Sequence, residues 1–145
     1  MTEQQSSTSV QDTASTLNLG AVMPSLTASD LGASIAWYRD VMGFVVAREI
    51  EHEGQRVGAM LSAGGVQFML GQDDFAKGRD RQKGIGFRLY CVSEQDVDEL
   101  AAGIKARGGT LDQEPTDQPW GARDLAVVDP DGFKISISSG TGQEG

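Results

Sequence analysis

Residues typical of helix starts, helix ends and tight turns recur along this chain at a nearly constant spacing of 66 or 67 residues. The other side chains at that spacing share little identity, so the repeat lies in local geometry rather than in composition. A duplicated supersecondary unit must keep its caps and turns, because these fix the order of its elements. The recurring pairs are Asp30-Leu31 with Asp96-Val97, Gly43-Phe44 with Gly109-Thr110, and Gly65 with Gly132.

The first half of the repeat predicts a strand, a helix and then three strands. An apolar stretch over 21–27 precedes a helix that Ser29 or Asp30 can cap, and Gly43 ends that helix. The apolar positions between them follow the helical period. They are Leu31, Ile35, Tyr38 and Met42. The three predicted strands cover 44–51, 55–62 and 66–70.

The second half predicts the same order of elements. A strand over 85–92 leads into a helix, for which Ser93 is the predicted cap with Asp96 three positions later. Gly108-Gly109 ends that helix. The strands that follow cover 110–113, 124–128 and 133–138.

The repeat predicts an α+β fold made of two tandem βαβββ modules, whose curved mixed sheets surround a groove. Module one covers 20–71, and module two covers 84–138. The charged stretch 72–83 between them is predicted to be a linker. The polar ends, 1–19 and 139–145, are expected to be disordered tails, because they bury too little apolar surface to offset the entropy of ordering.

Composition excludes several classes of function. The 12 basic and 21 acidic residues give a net charge of −9, and no basic patch is visible, which argues against nucleic-acid binding. No apolar run is long enough to span a bilayer, so a soluble protein without a membrane partner is expected. Nothing at the N-terminus has the pattern of a signal peptide, which predicts a cytoplasmic location. Cys91 is the only cysteine and is expected to be a small core residue.

Four ordered fragments carry a resemblance to a known superfamily. They are 21–30, Trp37-Tyr38 with Gly43-Phe44, 118–121 and 129–132. Over residues 20–138 the chain resembles the vicinal oxygen chelate superfamily, which includes glyoxalase I, extradiol dioxygenases and the fosfomycin- and bleomycin-resistance proteins. Pro24, Leu26-Thr27 and Pro119-Trp120-Gly121 look most like the bleomycin-resistance branch. That branch implies a homodimer, and it leaves open whether the first strand is exchanged between subunits.

The resemblance also indicates where metal-binding members place their ligands. Those positions fall on Met23, on Met69 (Phe68 or Gln67 in a shifted register) and on Ser136, while 84–90 holds no His, Asp or Glu. First-row divalent ions prefer imidazole, carboxylate or thiolate ligands. The sequence therefore predicts a member with no metal and no cofactor.

Period-two alternation in the last strand predicts the groove lining. Phe133, Ile135 and Ile137 share one face, and Lys134, Ser136 and Ser138 share the other. In the fifth strand, Arg88 and Tyr90 are the expected groove residues, with Phe87 and Leu89 as the alternative register. The candidate ligand-binding residues are Met23, Ser25, Gln67, Met69, Arg88, Tyr90, Trp120, Lys134 and Ser136. No catalytic residue is assigned.

Several of these residues also admit a purely structural role. Trp120 can stack on a planar ligand or cover a sheet edge, and the two interpretations are equally supported. Lys134 and Arg123 can hold an anion, but pairing with Asp124 or Asp129 is favoured. Asp129 and Asp131 are interpreted as turn formers, and Trp37 and Tyr38 as core or interface residues. His52 falls in a charged, solvated hairpin. The alternatives for it are a general base, for which it lacks an orienting partner, or a metal ligand together with Glu49 or Glu51.

These observations predict a metal-independent protein that binds a small molecule and sequesters a drug or metabolite. The hairpin over 49–58 has no aromatic residue, which argues against bleomycin itself as the ligand. The alternative is a glyoxalase-like lyase, isomerase or dioxygenase that acts on a small oxygenated substrate. That alternative requires a positioned acid or base, for which only Tyr90, Lys134 or a glutamate of the hairpin is available.

Overall fold

The computed structural model describes residues 16–139, and the remainder of both predicted tails lies outside the described residues. Each half of the chain forms one βαβββ unit. The first comprises β1 (Ser25–Ala28), α1 (Leu31–Ala36) with a π-helical continuation (Trp37–Met42), β2 (Val45–His52), β3 (Gln55–Ala63) and β4 (Val66–Gln72). The second comprises β5 (Arg88–Val92), α2 (Val97–Ala106), β6 (Gln113–Asp117), β7 (Arg123–Val128) and β8 (Lys134–Ser138).

Both units have the same sheet topology. The strand orders are β1-β4-β3-β2 and β5-β8-β7-β6, and within residues 16–139 no ladder of hydrogen bonds joins the two sheets. In each sheet the first and last strands of the unit are parallel neighbours, and the other pairs are antiparallel. The predicted α+β fold of tandem βαβββ modules is confirmed.

Aspartates cap both helices. The side chain of Asp30 accepts a hydrogen bond from the backbone N–H of Ala33 at 3.1 Å. Asp96 accepts from Asp98 N–H at 2.8 Å, so α2 begins at Val97 and the prediction that Ser93 caps it was wrong. Asp96 has the extended backbone of a capping residue, whereas Ser93 forms a separate local turn.

Strand β6 lies three residues later than predicted. Its run contains Pro115, and a proline lowers the strand signal of a sequence because it cannot donate to a ladder. The structure tolerates Pro115 because β6 is the edge strand of its sheet and has an irregular register between Gln113 and Thr116. The prediction of β6 from β-propensity therefore failed at the point where its hydrogen-bond ladder with β7 is interrupted.

One hydrophobic core lies between the helices and the inner faces of both sheets. It includes Leu26, Phe68 and Leu70 of the first unit and Leu125 and Ile135 of the second. Tyr38, on the π-helical segment, is fully buried and packs edge-on against Phe44 and Trp37. None of the helices between residues 16 and 139 is long and apolar enough to cross a membrane.

The turn between β7 and β8 also receives residues from the first unit. The hydroxyl of Tyr38 donates to Asp129 Oδ2 at 2.8 Å, and the hydroxyl of Ser29 donates to Asp131 Oδ1 at 2.6 Å. Asp129 and Asp131 do form the turn, as predicted, but they also join the two halves of the molecule. Burial raises the pKa of Asp129, and burial together with this carboxylate raises the pKa of Tyr38.

Candidate ligand-binding groove

The outer face of the second sheet has a floor of small side chains. In the strand register, Ser136 of β8 lies between Tyr90 of β5 and Ala126 of β7. Ser136 and Ala126 are only 3% and 2% exposed, whereas Tyr90 is 47% exposed. We call this row of small buried residues beside the exposed ring of Tyr90 the trough.

The orientation of β5 distinguishes the two registers that the sequence left open. Phe87 and Leu89 pack against the hydrophobic core, so Arg88 and Tyr90 lie on the outer face. Both are exposed. Lys134 lies beside Arg88 in the register, one row from Ser136. Four of the nine predicted residues thus share this face.

Lys134 and Arg123 pair with different carboxylates from those predicted. Lys134 Nζ lies 3.0 Å from Asp112 Oδ2. Asp124 is opposite Ser138 at the other end of β8, out of reach of Lys134 by strand register. Arg123 forms ion pairs with Asp98 at 2.9 Å and Asp117 at 3.1 Å, and the pairing with Asp98 lowers the pKa of that carboxyl.

Trp120 lies on the hairpin between β6 and β7, and its side chain is 61% exposed. A tryptophan exposed to this extent does not cover a sheet edge within one chain. The hairpin is fixed by backbone hydrogen bonds from Gly121 N–H to Gln118 O at 2.9 Å and from Gln118 N–H to Ala122 O at 2.7 Å. The indole is therefore presented to solvent on an ordered turn.

A buried carboxylate supports this hairpin, and the sequence analysis did not identify it as a site residue. Asp124 Oδ1 accepts hydrogen bonds from the side-chain amides of Gln113 and Gln118, both at 2.8 Å. Asp124 is 4% exposed and lies on the outer face two residues from Ala126. The sequence did contain a signal for this role. Asp124 alternates with Ala126 and Val128 along β7, and a carboxylate in a largely apolar strand needs hydrogen-bond partners.

The first sheet places a second group of predicted residues on its own outer face. Met69 lies beside Ser25 of β1 and Met60 of β3, while Phe68 and Leu70 on either side of it enter the core. Gln67 is exposed on the same face as Met69. Met23 lies just before β1, where Pro24 O accepts a hydrogen bond from Met69 N–H at 2.8 Å.

The nine predicted residues are therefore divided between two faces and a hairpin. Each sheet brings its own members together, and Trp120 lies on the β6–β7 turn of the second sheet. The positions predicted from metal-binding relatives supply two thioethers and a hydroxyl, a donor set that first-row dications bind poorly. Among residues 16–139, no three His, Cys, Asp or Glu side chains lie close enough together to hold a metal ion.

Two tandem βαβββ units, each with one four-stranded mixed sheet, define the fold class of this protein. The chain belongs to the Glyoxalase/Bleomycin resistance protein/Dioxygenase superfamily, whose model matches residues 18–137. The resemblance found in the sequence is thereby confirmed at the level of the superfamily.

Curated relatives include lactoylglutathione lyases. The chain is 27% identical over 124 residues to a probable lactoylglutathione lyase of Vibrio cholerae serotype O1, covering 77% of this chain and 84% of that protein. A shorter match, over 55 residues that make up 37% of this chain, is 36% identical to the lactoylglutathione lyase GLX1 of Arabidopsis thaliana. This match spans only 19% of the length of the Arabidopsis protein.

Solved structures with the same fold include one from Micromonospora and one from Streptomyces. TioX from Micromonospora sp. ML1 superposes with a TM-score of 0.66 at 25% identity, covering 82% of this chain and 98% of that one. TnmS3, an antibiotic binding protein from Streptomyces sp. CB03234, superposes with a TM-score of 0.64 at 24% identity, covering 83% of this chain and 96% of TnmS3.

Proposed function

We propose that this protein is a homodimeric, metal-independent binding protein that sequesters a small amphipathic molecule, such as a drug or metabolite. The observation that carries the proposal is the trough on the second sheet. Its floor of Ser136 and Ala126 is flanked by the exposed ring of Tyr90. The exposed indole of Trp120 lies on the adjoining hairpin.

The chemistry of the trough suits recognition better than proton transfer. Aromatic rings such as those of Tyr90 and Trp120 can stack on a planar ligand, each with about 0.5–1.5 kcal/mol beyond its buried area. The hydroxyl of Ser136 supplies a hydrogen bond at the floor, and Arg88 adds a cation at the rim. Lys134 is held in an ion pair with Asp112, which reduces its use as a base.

The proposed dimer follows from apolar side chains that a single chain leaves uncovered. Tyr90, Val92 and Val128 are 47%, 57% and 40% exposed and lie on the same face of the second sheet. Lys134 and Ser136 of β8 lie between Tyr90 and Val128 in the register, so the three side chains share a face without forming one continuous patch. A second copy that packs on this face would cover all three and close the trough. Since β1 is hydrogen-bonded to β4 of its own chain, the proposal requires no exchange of the first strand.

The fold shared with TnmS3, an antibiotic binding protein, supports a small-molecule ligand of this kind. The donor set at Met23, Met69 and Ser136 supports metal independence, because thioether and hydroxyl groups compensate a dication poorly. The ligand itself is left to experiment.

The proposal is tested by thermal shift and calorimetry against cationic glycopeptides, aromatic antibiotics and glutathione adducts, each with and without Zn²⁺, Ni²⁺ or Mn²⁺. We expect a saturable increase in Tm with one organic class and no metal. Trp120→Ala should weaken that binding at least about fivefold, or about 1 kcal/mol. The control is Val57→Ala, which removes another exposed apolar side chain, from β3. Stabilisation that requires metal would contradict the proposal.

The dimer has a separate test. Sedimentation equilibrium at micromolar concentration should give twice the 15.4 kDa mass of the chain. Val92→Asp should shift the protein toward the monomer, because it places a charge in the proposed interface. A wild-type protein that sediments at 15.4 kDa would rule out the homodimer.

A second candidate function is a glyoxalase-like lyase, and similar isomerase or dioxygenase activities belong to the same alternative. It is favoured by the similarity to the probable lactoylglutathione lyase of Vibrio cholerae. Turnover of lactoylglutathione, assayed with and without added Zn²⁺ or Ni²⁺ and alongside metal analysis, distinguishes it. Metal-dependent turnover would replace the binding proposal with this one.

A further inference from the structure

The linker between β4 and β5 contains the densest run of basic residues in the chain. Lys77, Arg79, Arg81 and Lys83 are four of its 12 basic residues and alternate along seven positions. Two cavities, of about 410 Å³ and 290 Å³, lie against this linker, and Arg81 lines both. Neither cavity includes a residue of the trough on the second sheet.

Lys83 fixes one wall of the larger cavity. Its side chain is only 3% exposed, and its Nζ donates to Ser29 Oγ at 2.8 Å. The same ammonium lies 3.2 Å from Asp73 Oδ2 and 3.7 Å from Asp131 Oδ1. These contacts occupy Lys83 and hold the linker against the β7–β8 turn.

A close backbone contact continues that wall. A Cβ atom added at Gly84 would overlap the carbonyl group of Gly132, so only glycine permits the observed approach. Both glycines line the larger cavity. A wall made of packed backbone and a buried ion-pair network is preformed and needs no rearrangement to receive a ligand.

Arg81 differs from Lys83 in having hydrogen-bonding capacity left over. Its Nε is buried and has no hydrogen-bond partner among the described residues. Its terminal nitrogen approaches Asp73 Oδ2 only to 3.6 Å, which is too long for a hydrogen bond. The Arg81 side chain as a whole is 33% exposed, so its terminal nitrogens can reach an acceptor placed in the larger cavity.

We propose that the larger cavity binds a small organic molecule that carries an oxyanion, either a carboxylate or a phosphate monoester. The planar guanidinium of Arg81 matches two oxygens of such a group. The exposed side chains of Ile85 and Pro130 line the same cavity and contact the organic part of the ligand. The volume lies within the usual range for small-molecule sites.

The surroundings of the larger cavity are less acidic than the protein as a whole. The cavity is lined by two cations, Arg81 and Lys83, and by Asp131, and both cations also lie within 4 Å of Asp73, so the local charges balance. Both oxygens of Asp131 already accept hydrogen bonds from Ser29. Arg81, whose terminal nitrogen makes only a 3.6 Å contact with Asp73, is therefore the cation left to meet an incoming acceptor.

The test measures binding of inorganic phosphate, phenyl phosphate, acetate and benzoate by calorimetry at constant ionic strength, with the full chain. We expect saturable binding, with phenyl phosphate or benzoate bound more tightly than the matching small anion. Arg81→Gln should weaken this binding about tenfold or more, because it removes a bidentate charged donor. Arg81→Lys keeps the charge but loses the planar fork, and it should weaken binding by a smaller factor.

The control is Arg79→Gln, which removes the same charge from the same linker. The guanidinium of Arg79 stacks 4.2 Å from the ring of Phe75, and the residue lines neither cavity. It should bind the anions as the wild type does, as should Trp120→Ala, since this site does not depend on the trough. Three results would each overturn the proposal. The first is a wild type that shows no saturable binding, the second is an equal loss of affinity in Arg79→Gln and Arg81→Gln, and the third is unaltered binding in Arg81→Lys.

Discussion

Removing the hydroxyl of Tyr38 should destabilise the protein by about 2 kcal/mol, a value typical of a hydrogen bond to a charged group. The phenol is fully buried and donates to Asp129 Oδ2 at 2.8 Å. Tyr38→Phe keeps the ring and its edge-on contacts with Phe44 and Trp37, so the loss isolates the hydrogen bond. Asp129 would keep the two backbone N–H donors at its other oxygen, from Asp131 and Phe133.

The cost should depend on pH in a defined direction. Burial raises the pKa of Asp129, and the hydrogen bond from Tyr38 partly offsets that rise. An aspartate whose pKa is higher when folded binds its proton more tightly in the native state, so stability falls as pH rises through the two pKa values. Tyr38→Phe raises the folded pKa further. Its penalty should therefore be larger near pH 7 than near pH 4, where the carboxyl is more protonated and a hydrogen bond to it contributes less.

The assay is urea unfolding of wild type, Tyr38→Phe, Asp129→Asn and the double variant at both pH values and one protein concentration. A coupling energy above about 0.5 kcal/mol between the two positions is expected near pH 7. Equal penalties at both pH values, or additive single changes, would refute the proposed coupling between the two modules.

Three further changes test the packing. Leu125→Ala removes a side chain with no exposed surface from the core, and it should lower the free energy of unfolding in urea by about 2–5 kcal/mol. A loss below about 1 kcal/mol would mean that the core is poorly packed there. Gly84→Ala should lower Tm, because its methyl group would overlap Gly132, and an unchanged melting curve would contradict that close approach. Lys83→Met should cost about 3–5 kcal/mol in the same assay, because it removes the buried cation shared by Asp73 and Asp131 and leaves Asp73 only its longer contact with Arg81; wild-type stability would contradict the network.

The repeated helix caps and turns were sufficient to predict the tandem βαβββ fold. Asp30 and Gly43 act at short range, and their local geometry survives in the folded chain. The choice between Ser93 and Asp96 as the second cap could not be made from residue type, because both residues are good caps. Backbone conformation decided it, with Asp96 at φ −71° and ψ 120°.

The faces of the candidate site could be predicted better than its ion pairs. Alternation along β8 correctly placed Ser136 opposite the core-facing Ile135, because a strand with one buried face has a fixed period. The partner of Lys134 was missed because Asp112 precedes a strand whose position was itself mispredicted. Ligand binding at these positions stays a prediction.

The contacts at the β7–β8 turn make the two halves of the chain unequal. Tyr38 corresponds by the 66-residue offset to Ile104, which has no hydroxyl, and Ser29 corresponds to Gln95. A molecule assembled from two copies of the first half would therefore carry two tyrosine donors and neither acceptor turn. The two halves therefore differ in these contacts, the first supplying the donors and the second the acceptor turn, and chimaeras of this protein must retain one half of each kind.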